Sequence, residues 1–275
     1  MVSDLQAVQQ AGQLAKANKR LKKLSQVLFA IAVIGQWMFV YYIVAFYGGI
    51  AVSGEYEKVN DALGHGIIKG DTMGNLMLGI HLALAVVVTF GGPLQFSAAI
   101  RKHFPLFHRW NGRIFYLTAF VVTFAGLYMI YTRGAHGGIT GLLGNTLNAA
   151  LIITFSTLAW RTAMQRDFVA HKKWAIRAFL MVSGVWFFRL GYGIWILITG
   201  FTAPGTNGNL TGPFDIFLSF GHSLVPLLIL EAYFYAKRHS SLRVKQFGAG
   251  ALIGLSLLMV GGITMIALVF WAPHL

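Results

Sequence analysis

Apolar residues in this chain come in long runs separated by short polar segments. The first is "VLFAIAVIGQWMFVYYIVAFYGGI", residues 27–50. Six more follow at about 74–99, 113–132, 146–163, 174–199, 213–236 and 248–271, and the fourth, "TLNAALIITFSTLAW", is the shortest. A hydrocarbon layer of about 30 Å takes roughly 20 apolar residues per helix. The backbone of such a segment meets no water, so it has to satisfy its own hydrogen bonds. The pattern predicts an all-α fold, a polytopic transmembrane bundle of about seven spans. The first run is too long for the apolar region of a cleavable leader and lacks a cleavage site after it, so it reads as an anchor.

The polar segments differ in charge. Five cations precede the first run (Lys16, Lys19, Arg20, Lys22, Lys23) and four lie between the second and third (Arg101, Lys102, Arg109, Arg113). Five fall between the fourth and fifth (Arg161, Arg166, Lys172, Lys173, Arg177) and four between the sixth and seventh (Lys237, Arg238, Arg243, Lys245). These segments alternate, so the positive-inside rule puts them all in the cytoplasm. The N-terminus is then inside and the C-terminus outside, which needs an odd number of spans. Of the other loops, "GEYEKVNDALGHGIIKGDTMG" is acidic and contains glycines, and the rest, such as "TAPGTNGNLTG", are Gly, Asn and Thr turns. Before the first run, Leu5, Val8, Leu14, Ala17, Leu21 and Leu24 recur near helical spacing among lysines. That divides the chain into a basic amphipathic cytoplasmic segment, 1–25, and a seven-helix domain, 26–275. A helix on the inner membrane surface and a frayed tail are both open for the first segment.

Composition sharpens this. Only 11% of the 275 residues are charged, against about 25% in soluble domains, and 56% are hydrophobic. Mean hydropathy is +0.65. The net charge of +14 would suit nucleic acid only if the cations formed a soluble basic face. They sit instead between apolar runs, which points to the bacterial inner membrane and the lipid bilayer as partner. There is no cysteine, which excludes disulfides, iron–sulfur clusters and c-type haem attachment. The nine histidines are the strongest ligands available for a metal.

Ionisable groups inside a span are costly and usually face the bundle interior. His81 and His222 fall at similar depth in the second and sixth spans. Asp215, Ser219, His222 and Ser223 make one polar stripe on the sixth. Arg189 interrupts "VWFFRLGYGIW" in the fifth and calls for Asp215 or an anionic ligand group as partner. Glu231 lies on the opposite face of the sixth span from His222. At two span starts, "HRWNGR" (108–113) and "HKKWAIR" (171–177) each combine a His, a neighbouring cation, a Trp and a closing Arg. Interfacial anchoring accounts for Trp110, Trp174 and the cations. The paired imidazoles and guanidiniums also suit haem with its propionates, or a phosphate or lipid headgroup at a helix start. His81, His222, His108 and His171 are thus the candidate metal ligands. Arg109, Arg113, Trp174, Arg177, Arg189 and Asp215 are the candidate cofactor contacts, and His65 is a loop control.

The motifs resemble a bacterial family of multi-spanning membrane proteins of unknown function typified by H…GGxxQF…R…HRxxGRxY…HxxWxxR…R. The matching positions include His81, Gly91, Gly92, Gln95, Phe96, Arg101, His108, Gly112, Arg113, His171, Trp174, Arg177 and Arg189, within about residues 75–235. Phe115 and Tyr116 follow "GR" where the family's aromatic usually sits, one or two residues on. Topology and histidine placement are similar to those of b-type transmembrane cytochromes, an analogy of fold only. Three functions follow as expectations. The first is a redox protein: His81 and His222 hold haem b on one side, His108 and His171 a second site on the other, and electrons cross to or from a quinone. The second is a metal-free transporter, or a lipid- or small-molecule-binding protein. The third is an accessory subunit of a membrane assembly, packed through Gly-rich spans. Soluble-enzyme motifs such as a P-loop or dinucleotide fingerprint are missing.

Overall fold

A computed structural model describes residues 2–63 and 66–275, without the side chains of residues 2–5 and 7. His65 lies outside the described residues. All regular structure among the described residues is helical, with α-helices α1 (Val2–Tyr42), α2 (Gly48–Ser53), α3 (Val59–Ala62), α4 (Thr72–Leu94), α5 (Ala98–His103), α6 (Pro105–Thr132), α7 (Gly138–Met164), α8 (Phe168–Val182), α9 (Gly184–Thr199), α10 (Pro213–Arg238) and α11 (Leu242–Ile266). Six of its segments are long and apolar enough to cross a membrane, and the bent pair α8–α9 brings the number to seven. Their outward faces carry large apolar residues such as Ile34, Leu117, Phe124, Leu228 and Leu257. Such faces are suited to a lipid bilayer.

Polar side chains set the helix starts. Asp71 accepts the Gly74 N–H at 2.9 Å ahead of α4, and Asp167 the Ala170 N–H at 3.0 Å ahead of α8. Ser97 caps α5, so the second span stops at Leu94 and does not continue to residue 99. The fourth span, weakest in the sequence, is a full 27-residue helix. Residues 2–25 are the first turns of α1 itself, and α1 runs unbroken for 41 residues. No bend separates the basic segment from the span, and Leu21 is buried against Ala236, Ala249 and Leu252.

The helices close into a ring in the order α4, α6, α7, α10, α9, α11, α1 and back to α4. Of the bent span, α8 crosses the middle, packing on α7, α10 and α4, while α9 completes the ring between α10 and α11. Ala178, Met181 and Trp186 of this span are fully buried. Small residues allow the close crossings. A side chain at Gly144 would strike the Ser219 carbonyl on α10, and one at Gly193 the Gly262 carbonyl on α11.

Candidate functional site

The fifth span is not one helix. The sequence predicts a continuous span over 174–199, but α8 and α9 meet at Ser183 with a 61° bend. A serine–glycine pair, Ser183-Gly184, marks the break. A break exposes the last carbonyls of one half-helix and the first N–H groups of the next. In hydrocarbon that is tolerated only where protein or a polar cavity covers it.

Uncharged polar side chains from the surrounding helices converge there. Gln36 of α1 donates to the Ser183 hydroxyl at 2.9 Å, and Ser183 in turn bonds the Phe179 carbonyl at 2.8 Å. Asn148 of α7 lies against Gly184, where any side chain would collide with its amide. Ser223 of α10 donates to Asn148 at 2.9 Å. Gln36, Ser183 and Ser223 are buried. Two atoms in this region keep hydrogen-bonding capacity without a partner: the Gln36 carboxamide oxygen and the Trp186 indole N–H. Buried polar groups are nearly always paired, so such orphans point to something that completes them.

The stripe expected on the sixth span leads to this break. Asp215, Ser219, His222 and Ser223 are all buried on α10. Asp215 sits at the end away from the basic segments. It accepts from the Tyr192 hydroxyl at 2.6 Å and from the Gly212 and Asn207 N–H groups at 2.9 and 3.1 Å. Its carboxylate therefore holds the 205–212 loop onto α9 and α10, and it is not the partner of Arg189. His222 directs Nδ1 at the Leu218 carbonyl of its own helix, 3.1 Å away, and meets the edge of Phe188.

His81 and His171 are held in the same manner. His81 on α4 directs Nδ1 at the Val122 carbonyl of α6 at 3.1 Å, and His171 on α8 at the Ala159 carbonyl of α7 at 2.9 Å. His81 and His222 are on helices that do not pack closely against each other. His108 and His171, from the two loop motifs, do lie in one electrostatic neighbourhood with Arg101. Around His108 the "GGxxQF" and "HRWNGR" residues interlock. In the orientation that satisfies its neighbours, Gln95 donates to His108 Nδ1 and accepts from the Gly112 N–H, each at 3.0 Å, while Asn111 donates to the Gly91 carbonyl at 2.9 Å. Arg113 stacks on Trp110, and Arg109 is exposed. Arg177 binds Glu231 of α10 at 2.8 Å and stacks on Trp174 and Phe234. Among the described residues no group of three or more His, Cys, Asp or Glu is arranged to hold a metal ion.

Sequence reasoning passed over Gln36, Asn148 and Ser183, because in the spans it weighed ionisable groups and only those uncharged residues that share a stripe with them. The signal was present as single uncharged polar residues inside "AVIGQWMFV", "TLNAALIITFST" and "LMVSGVWFF".

Residues 78–212 match a family described as "Predicted membrane protein (DUF2306)". The match covers α4 from Leu78 to the loop before α10, including the broken span. No curated protein and no solved structure matches the chain.

Proposed function

We propose that this chain, which over residues 78–212 belongs to that family of predicted membrane proteins, binds a small polar solute at the break in its central span and passes it across the bilayer. The observation that carries this reading is the 61° break at Ser183, lined by Gln36, Asn148 and Ser223 and left with unpaired polar atoms. Interrupted helices in membrane transporters bring half-helix ends to the middle of the bilayer, where they bind what the hydrocarbon would exclude. The buried stripe from Asp215 to Ser223 provides a polar route from one face to that point. Proteoliposome uptake of small amides and carboxylates, followed by mass spectrometry, tests it. Asn148→Ala and Gln36→Met should each lower uptake at least tenfold while the protein still purifies as a folded species. Undiminished uptake in both variants sinks the reading.

A second reading has its own supporting observation. His81, His171 and His222 each direct Nδ1 at a backbone carbonyl, which fixes the N–H there and leaves Nε2 as the free lone pair. Histidines that ligate metals are held this way. On this reading the imidazoles carry haem b, the basic-side arginines hold its propionates, and electrons exchange with a quinone. It is the weaker of the two, because Arg177 and Asp215 are engaged within the protein. A visible spectrum of the purified protein before and after dithionite decides it: sharp α and β bands support haem, and a colourless sample ends the idea.

A further inference from the structure

Arg189 lies on α9 six residues beyond the break, and among the described residues it has no counter-ion. Its contacts are the Val185 carbonyl of its own helix at 3.5 Å and the face of Phe39, 4.9 Å from the ring centroid. The phenols of Tyr42 and Tyr47 stand within its electrostatic reach. Among the described residues the acids in ion pairs are Glu55, Asp71 and Glu231, each with another cation. Ten residues separate Arg189 from the end of α9 at Thr199, about 15 Å of helix, so the side chain cannot snorkel to that surface. A guanidinium held in hydrocarbon without a partner is costly and marks a functional position.

What surrounds it is chemically specific. Phe39, Tyr42 and Trp271 stack on one another at 5.7 to 6.3 Å between α1 and the end of α11. Trp271 is 3% exposed, and its indole N–H has no acceptor. Both flanking helices widen into a π turn at this level, Ile43–Tyr47 after α1 and Ala267–Trp271 after α11. Such turns occur often at functional sites. One guanidinium and one unpaired indole N–H among aromatic rings match a carboxylate on an apolar body. A phosphate dianion would call for more than a single cation.

We infer that α1, α9 and α11 hold a site for an organic monocarboxylate, with Arg189 as its counter-ion and Trp271 as a second donor. This rests on the polar-solute reading for the route and names the class of solute. The test is thermal unfolding of the purified protein, followed by tryptophan fluorescence, with benzoate, its uncharged isostere benzamide, or inorganic phosphate. Benzoate should raise the midpoint in a concentration-dependent way, while benzamide and phosphate should not. R189Q should abolish the response, R189K should keep part of it, and Trp271→Phe should weaken it. Equal effects of benzoate and benzamide, or a benzoate response that survives R189Q, overturn the site. If R189Q does not fold, R189K and Trp271→Phe carry the test, and an unchanged benzoate affinity in both overturns it. Benzoate binding without any uptake removes the transport reading and leaves this site standing. Uptake of neutral amides without benzoate binding does the reverse.

Discussion

Arg177 and Arg189 belong to the same bent span, one on each half, and their surroundings are opposite. Arg177 has Glu231 as counter-ion and two aromatic faces around it. Arg189 has an aromatic face and, among the described residues, no acid. The contrast extends to their regions. Around Arg177 and the loop motifs, hydrogen bonds close on one another: Gln95 with His108 and Gly112, Asn111 with Gly91, His171 with Ala159. Around the break and Arg189, Gln36, Trp186 and Trp271 keep unpaired atoms. A satisfied network fixes how helices meet; on the proposed reading the unsatisfied one receives a guest. On the proposed reading the conspicuous motifs are framework, and the inconspicuous polar residues line the binding site.

The comparison breaks most visibly at the ion pair. Arg177→Ala leaves Glu231 uncompensated. With 15% and 42% of the two side chains exposed, the loss should be on the order of 2 kcal/mol, between that of an exposed and a buried pair. Unfolding in detergent measures it, and adding Glu231→Gln should restore most of the loss. If the double variant is no better than the single one, the pair is not what holds α8 to α10.

A smaller and more telling difference separates Asn111 from Gln36. Asn111→Ala removes a framework bond and should cost about 1 kcal/mol. Gln36→Met removes one bond to Ser183 together with an unpaired acceptor, so stability should stay within about 0.5 kcal/mol while uptake falls. Equal destabilisation by the two would erase the distinction between framework and site.

The smallest effect lies at the membrane edge, where Arg133 joins α6 to the loop before α4. It binds Asp71 at 2.7 Å and the Gly66 carbonyl at 2.8 Å. The Gly74 N–H, followed by Arg133, holds the Asp71 carboxyl below its ordinary value. A depressed carboxyl stabilises the fold above its unfolded pKa, about 3.9, and that contribution is lost as pH falls through the lower folded value. Unfolding midpoints should therefore drop below about pH 4, and Asp71→Asn should flatten that part of the curve. An unaltered acid limb in the variant would show that other carboxyls set it.

Much of this was legible in the residues, and for definite reasons. Each span is an apolar run long enough to cross the bilayer, and the stripe on α10 was visible because helical spacing fixes which side chains share a face. The pairing of Arg177 with Glu231 was not legible, since it joins residues 54 apart on different helices. Nor was the role of Asp215, whose partners Tyr192 and Asn207 reach it only after the loop folds back.

The sequence by itself determined that the chain is a bundle of membrane-crossing helices, because hydrocarbon leaves a polypeptide no other way to satisfy its backbone over such runs. Tertiary structure alone decided which polar groups are answered and which are left open. Whether a buried amide, indole or guanidinium finds a partner depends on the packing of separate helices, and spacing along one helix carries no record of that.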